Sequence, residues 1–153
     1  MSDSPPLARL FAMAYASLVD GLHEELRARG WRDVRPSFGF ALLAARDGST
    51  TSTALAELMG TTKQAASKLI EHMTAAGLLE PADGEAADGR RRPVRLTERG
   101  RDLLATVEDV YADLEAGWAE VVGRDAVERL RRDLLAVVLA GNDGELPPVR
   151  QLR

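Results

Sequence analysis

"TTKQAASKLIEHMTAAGLLE", residues 61–80, decides how this chain is read. Ala66, Leu69, Ile70 and Met73 recur at helical spacing and Gly77 follows them, so the stretch reads as a helix beginning at Thr61 and closed by a glycine. Thr61 with Gln64 three residues on reads as a capping box. Immediately upstream, "STALAELMG" (52–60) reads as a shorter helix, capped by Ser52 or Thr53, ended by Gly60, and turning Leu55, Ala56 and Met59 inward. Two helices joined through a glycine across so few residues form the helix-turn-helix pattern. The small side chains of Ala56 and Ala66 let the pair cross closely.

Downstream, Leu78, Leu79 and Glu80 look extended, Asp83-Gly84 and Asp88-Gly89 are turn signals, and Val94-Arg95-Leu96 alternates apolar and polar. The segment reads as a hairpin with a long tip. Pro93 has no N–H for a ladder, which suits an exposed ribbon better than a central strand. That tip runs into "DGRRRPVRLTERG" (88–100), where Arg90, Arg91, Arg92, Arg95 and Arg99 face only Asp88 and Glu98. The chain as a whole carries a formal charge of −4, yet residues 61–101 hold eight basic and six acidic side chains, a net of +2, which leaves −6 for the rest. A basic hairpin directly after the second helix of a helix-turn-helix is a wing. Its charge sits where phosphate neutralisation would favour nucleic acid.

Working outward, Leu7, Leu10, Phe11, Ala14, Leu18, Leu22 and Leu26 predict a long amphipathic helix closed by Gly30. A shorter helix follows Pro36 through Phe38, Phe40, Ala41, Leu42 and Leu43 and ends near Asp47-Gly48. On the other side, Thr97 caps a long helix with Leu103, Val107, Val110, Tyr111, Leu114, Trp118 and Val121 on one stripe. Asp125 with Glu128 opens a last helix running through Leu130, Leu134, Val137 and Val138 to Gly141, and the Pro147-Pro148 tail reads as disordered. The predicted fold is mainly α: a winged helix-turn-helix with a small β-hairpin wing, flanked by N- and C-terminal dimerisation helices. One domain is expected, with dimerisation helices at 7–30 and 101–141, a DNA-binding lobe at 36–100 and a tail at 142–153.

Composition narrows the chemistry. With 153 residues, 45% hydrophobic and 29% charged, the chain is an ordinary globular mixture. It has no cysteine, so disulfides, thiolate metal sites and thiol redox chemistry are excluded. The two histidines, His23 and His72, read as surface residues, and neither is assigned a metal. No apolar run approaches the roughly 20 residues of a membrane helix. "LFAMAYASLV" (10–19) with Ala14-Tyr15-Ala16 mimics a signal peptide, but only Leu10 to Met13 precede the mock cleavage site and Asp3 replaces a basic leader. A cytoplasmic protein is the default expectation. Only Lys63 and Lys68 are lysines among 20 basic residues, the bias of a GC-rich genome, so the arginine run is weighed by position as well as number.

With those elements in order, the chain resembles the multiple-antibiotic-resistance regulator (MarR) family of winged-helix repressors. The family's wing carries Asp-x-Arg, three residues, Val-x-Leu-Thr, two residues and Gly, matched here by Asp88, Arg90, Val94, Leu96, Thr97 and Gly100. Residues 61–80 likewise resemble its recognition helix, and the element order corresponds over about residues 7–141. The wing is one residue longer than the family form, and Pro81 stands where an arginine is frequent. The resemblance implies double-stranded DNA as partner, with Thr62, Lys63, Gln64, Ser67 and Lys68 on the outer face of a helix in the major groove. There Gln64 suits an adenine edge, Ser67 is a short adaptable contact, and the lysines suit phosphate or guanine. Arg90 would enter the minor groove, held by Asp88, with Arg91 or Arg92 on phosphates. A homodimer built by the terminal helices is also implied, with a possible small-molecule effector pocket between the lobes. Tyr15, Trp31, Phe38, Tyr111 and Trp118 are read as core or dimer interface in preference to that pocket.

Two other classes compete. An enzyme is disfavoured: there is no Gly-rich phosphate loop, no cysteine nucleophile and no carboxylate–histidine grouping of recognisable spacing, and no cofactor is expected. A winged helix that binds only protein is the alternative, against which stand the polar recognition face and the basic tip.

Overall fold

The computed structural model describes residues 4–82 and 92–149. Six helices and three short strands follow one another as α1 (Leu7–Ala28), α2 (Phe38–Ala44), β1 (Ser49–Thr50), α3 (Ser52–Met59), α4 (Lys63–Ala75), β2 (Leu79–Pro81), β3 (Val94–Leu96), α5 (Glu98–Val122) and α6 (Arg124–Ala140). The fold is mainly α with a winged helix-turn-helix, as the sequence predicts.

Several boundaries differ from the sequence reading, each for a local reason. Gly60 adopts a left-handed conformation (φ 64°), and the Thr61 N–H then bonds back to the Ala56 carbonyl at 3.0 Å. Thr61 is thereby spent on ending α3, so Thr62 caps α4 instead, accepting from the Ala65 N–H at 3.1 Å. Gln64 falls in the first turn and no Thr61–Gln64 capping box forms. The cap of α3 is Thr51, bonded to the Ala54 N–H at 3.2 Å, and not Ser52 or Thr53. α2 ends at Ala44, short of Asp47-Gly48, because the chain must turn into β1. A two-residue strand has no alternation to detect, so β1 is absent from the sequence reading. α6 starts at Arg124 after Gly123 (φ 93°) without a side-chain cap; Asp125 lies in the first turn, where its charge suits the helix dipole. Beyond Gly141 the described chain continues through turns and coil to Val149.

The strands form an antiparallel sheet in the order β1-β3-β2, with Ser49 opposite Arg95, Leu79 opposite Leu96 and Pro81 opposite Val94. Pro93 contributes through its carbonyl, which accepts from the Ala82 N–H at 2.9 Å. One core joins the elements: Leu26 from α1, Leu42 from α2, Leu55 from α3, Met73 from α4, Leu79 from β2 and Leu103 and Val110 from α5 are all almost fully buried. α1 lies along α5 with Gly21 against Leu114, and Arg29 bridges to Asp113 on α5 at 3.4 Å. α5 is tied to α6 by Glu115 and Arg131.

Candidate nucleic-acid interface and adjoining cavity

α4 turns Ala66, Leu69 and Met73 into the core against Leu55 and Ala56 of α3. The periodicity that buries those three presents the opposite face to solvent: Thr62, Lys63, Gln64 and Lys68 are exposed and Ser67 is half-buried. The five residues assigned to this face from sequence are therefore brought together on its N-terminal half. Neither lysine forms an ion pair among the described residues, and the Thr62 hydroxyl is committed to the cap. The face offers two unneutralised ammonium groups and one amide able to donate and accept at once.

The wing is anchored by the residues that end its motif. Val94 and Leu96 point inward from β3, and between them Arg95 reaches across to Glu80 on β2 at 3.0 Å. Thr97 then bonds in three directions: its N–H to the Leu78 carbonyl at 3.0 Å, its hydroxyl to the Gly77 carbonyl, and its oxygen from the Gly100 N–H at 3.0 Å. Gly100 passes so close to β2 that an added Cβ would lie 2.2 Å from the Leu78 carbonyl oxygen. The Leu-Thr-x-x-Gly signature is thus the joint that fixes β3 and the start of α5 to the exit of α4. Arg101, counted in the sequence reading only as one of the eight basic residues of 61–101, donates to the Leu96 carbonyl at 3.0 Å and ties α5 to β3. At the tip, Arg92 is exposed, whereas Asp88, Arg90 and Arg91 lie outside the described residues.

Behind this surface, a cavity of about 300 Å³ opens between α1, α2 and α5. Leu22, Leu26 and Val107 supply apolar wall, and Tyr15, His23, Arg35, Arg46, Glu108 and Tyr111 supply polar groups. Burial raises the Tyr111 phenol above its ordinary pKa, with a further push from Tyr15, so it remains a donor throughout the neutral range. The His23 imidazole is lowered from 6.5, first by burial and then by Arg27, against smaller opposing effects of the Val34 backbone and Asp20. Three sequence expectations change here. Tyr15 and Tyr111 border the cavity instead of serving only core or interface, and His23 is half-buried in its wall instead of lying on the surface. Side-chain periodicity could place the tyrosines on inward stripes but could not show that α1, α2 and α5 leave space between them. Phe38 is core, as expected, and Trp31 packs on its edge beneath the Arg99 guanidinium, 4.7 Å from the ring centroid.

The terminal helices leave much apolar surface uncovered. α1 exposes Leu7, Leu10, Phe11, Met13 and Tyr15, and α6 buries Val127 but exposes Leu130, Leu135, Val137 and Val138. Among the described residues no group of three or more His, Asp or Glu could hold a metal ion, and no helix is long and apolar enough to cross a membrane.

The MarR family model matches residues 40–91, a range that includes α3, α4 and β2 and stops before β3. Solved structures with the same fold include the reduced form of MarR from Escherichia coli (21% identity, 90% of this chain and 99% of that one, TM-score 0.74). A MarR family protein of Mycobacterium tuberculosis in complex with salicylic acid is similar over 90% of this chain and 99% of that one (22% identity, TM-score 0.65). MepR of Staphylococcus aureus, a transcription regulator of a multidrug efflux pump, is similar over 89% and 98% (17% identity, TM-score 0.66). No curated protein sequence matches the chain.

Proposed function

From the match of residues 40–91 to the MarR family model and the shared fold, we propose that this chain is a MarR-type winged-helix regulator, a sequence-specific repressor that binds a near-palindromic operator as a homodimer. The observation that carries this reading is the outer face of α4: Lys63, Gln64 and Lys68 stand exposed and unpaired by carboxylates, beside a rigidly anchored wing base. Gln64 reads a base edge, Ser67 adapts to its neighbour, and the lysines take phosphate or guanine. Arg90, oriented by Asp88, enters the minor groove, while Arg91 and Arg92 neutralise phosphates. The uncovered stripes of α1 and α6 pack against a second copy, which places two α4 helices about one turn of DNA apart, roughly 10 bp. The protein works in the cytoplasm and performs no catalysis.

The cavity supports an effector site for a small aromatic acid. Its apolar wall suits a ring, its tyrosines donate hydrogen bonds, and its arginines suit a carboxylate. The similar Mycobacterium tuberculosis protein was solved with salicylic acid, a ligand of that class. Sequencing the DNA fragments retained by the purified protein tests the main reading: a two-fold symmetric consensus is expected. Binding without sequence preference or symmetry contradicts it and favours a winged helix that contacts protein.

A further inference from the structure

The two arginines that border the cavity are held very differently. Arg46 pairs with Glu108, which borders the same cavity, at 2.7 Å, so its charge is already matched. Arg35, in the connection between α1 and α2, has no carboxylate within ion-pair distance among the described residues. Its Nη1 instead lies 3.2 Å from Nδ1 of His72, on the C-terminal half of α4. A guanidinium can only donate, so in this contact Nδ1 is the acceptor. Arg35 also borders a second cleft, shared with Asp33, His72 and Ala75, on the far side of the same connection. Arg35 therefore borders the cavity while its guanidinium engages a neutral acceptor on α4.

Resting on the effector reading above, we propose that Arg35 is the residue through which an anion in the cavity acts on the recognition helix. A carboxylate in the cavity accepts from Arg35 in place of His72, and α4 loses its tie to the cavity wall. The direction follows from charge and geometry, since both acceptors take a bond from the same cation but only a carboxylate brings the opposite charge and can accept two parallel N–H bonds from the guanidinium. Transmission needs no further device: His72 follows Lys68 by four residues, one turn along the same face of a continuous helix, so a shift at one is carried to the other. Arg35 is thus a ligand-binding residue, and His72 acts as a positioning residue through it.

The test uses the full-length protein, its selected duplex, salicylate as the anionic probe and salicylamide as the neutral one. Salicylate should weaken DNA binding by the wild type by a factor of roughly 5 to 150, the usual size of coupling between sites. Arg35→Gln should lose about tenfold or more in salicylate affinity while salicylamide binding is little changed. His72→Ala should bind salicylate at least as tightly as the wild type, because a competing acceptor is gone, yet its coupling factor should fall toward one. His72→Gln, whose amide oxygen can accept, should recover part of that factor. Nitrogen chemical shifts of the His72 ring should report the Nε2–H tautomer in the free protein and its release on adding salicylate. An equal coupling factor in wild type and His72→Ala overturns the Arg35–His72 exchange and leaves the effector reading standing. Failure of the wild type to bind salicylate at all overturns both.

Discussion

α4 and α6 are both amphipathic helices, yet they end in opposite situations. α4, 13 residues long, buries Ala66, Leu69 and Met73 within its own chain and leaves a mainly polar face outside, with no large apolar side chain exposed. α6, 17 residues long, buries only Val127 and leaves Leu130, Leu135, Val137 and Val138 exposed, Val137 at 70%. The first helix is satisfied by its own lobe; the second is left with an apolar stripe that nothing among the described residues covers. Stability of the winged lobe and the proposed pairing into a dimer are consequently separable properties, and mutations should divide accordingly.

The largest effect belongs inside the lobe. Gly100→Ala drives a Cβ into the Leu78 carbonyl, and neither backbone can retreat without breaking the Thr97 bonds to Gly77 and Leu78. A loss of about 3 kcal/mol, the upper end of overpacking, is expected in denaturant unfolding, and wild-type stability in this variant would show that the joint is loose.

Phe11→Glu, on the exposed stripe of α1, should leave the helical circular dichroism intact while sedimentation shows monomers at micromolar concentration. Its DNA affinity should fall on the order of 10²-fold, since the second half-site no longer binds as one unit with the first. A dimer that survives this charge would place the interface elsewhere and erase the contrast between α4 and α6.

Gln64→Ala should change neither stability nor assembly. It should cost about 1–3 kcal/mol on the cognate duplex and relax preference at one position per half-site. Equal losses on cognate and scrambled DNA would demote Gln64 to a phosphate contact.

The smallest effect is a pH slope. His23 has a folded pKa below 6.5, so the unfolded chain binds the proton first, and stability present above that value declines as pH falls through the window beneath it. His23→Gln should flatten the slope of the unfolding midpoint between about pH 7 and 5. A slope unchanged by that substitution would assign the pH dependence to other groups.

What was legible in the sequence follows the same division. The helix-turn-helix and wing could be read because glycines and threonines mark their ends: Gly60, Gly77, Thr97 and Gly100 each make a local interaction that a side-chain pattern encodes. The errors of one or two residues at Thr51 and Thr62 arose where two adjacent threonines or serines could each cap, and the preceding turn decided between them. The cavity was not legible. It is a gap between three helices, and the roles of Tyr15, His23 and Tyr111 depend on distances among elements far apart in sequence. Nor could any pattern show that Arg35 meets His72, 37 residues away.

The most direct test of paired recognition helices is to insert about five base pairs, half a helical turn, between the half-sites of the selected duplex. Two α4 helices held in one rigid dimer cannot then face both half-sites, so affinity should fall to that of a single half-site. Undiminished affinity on the lengthened duplex would contradict the account, since it would mean that each lobe reads DNA on its own.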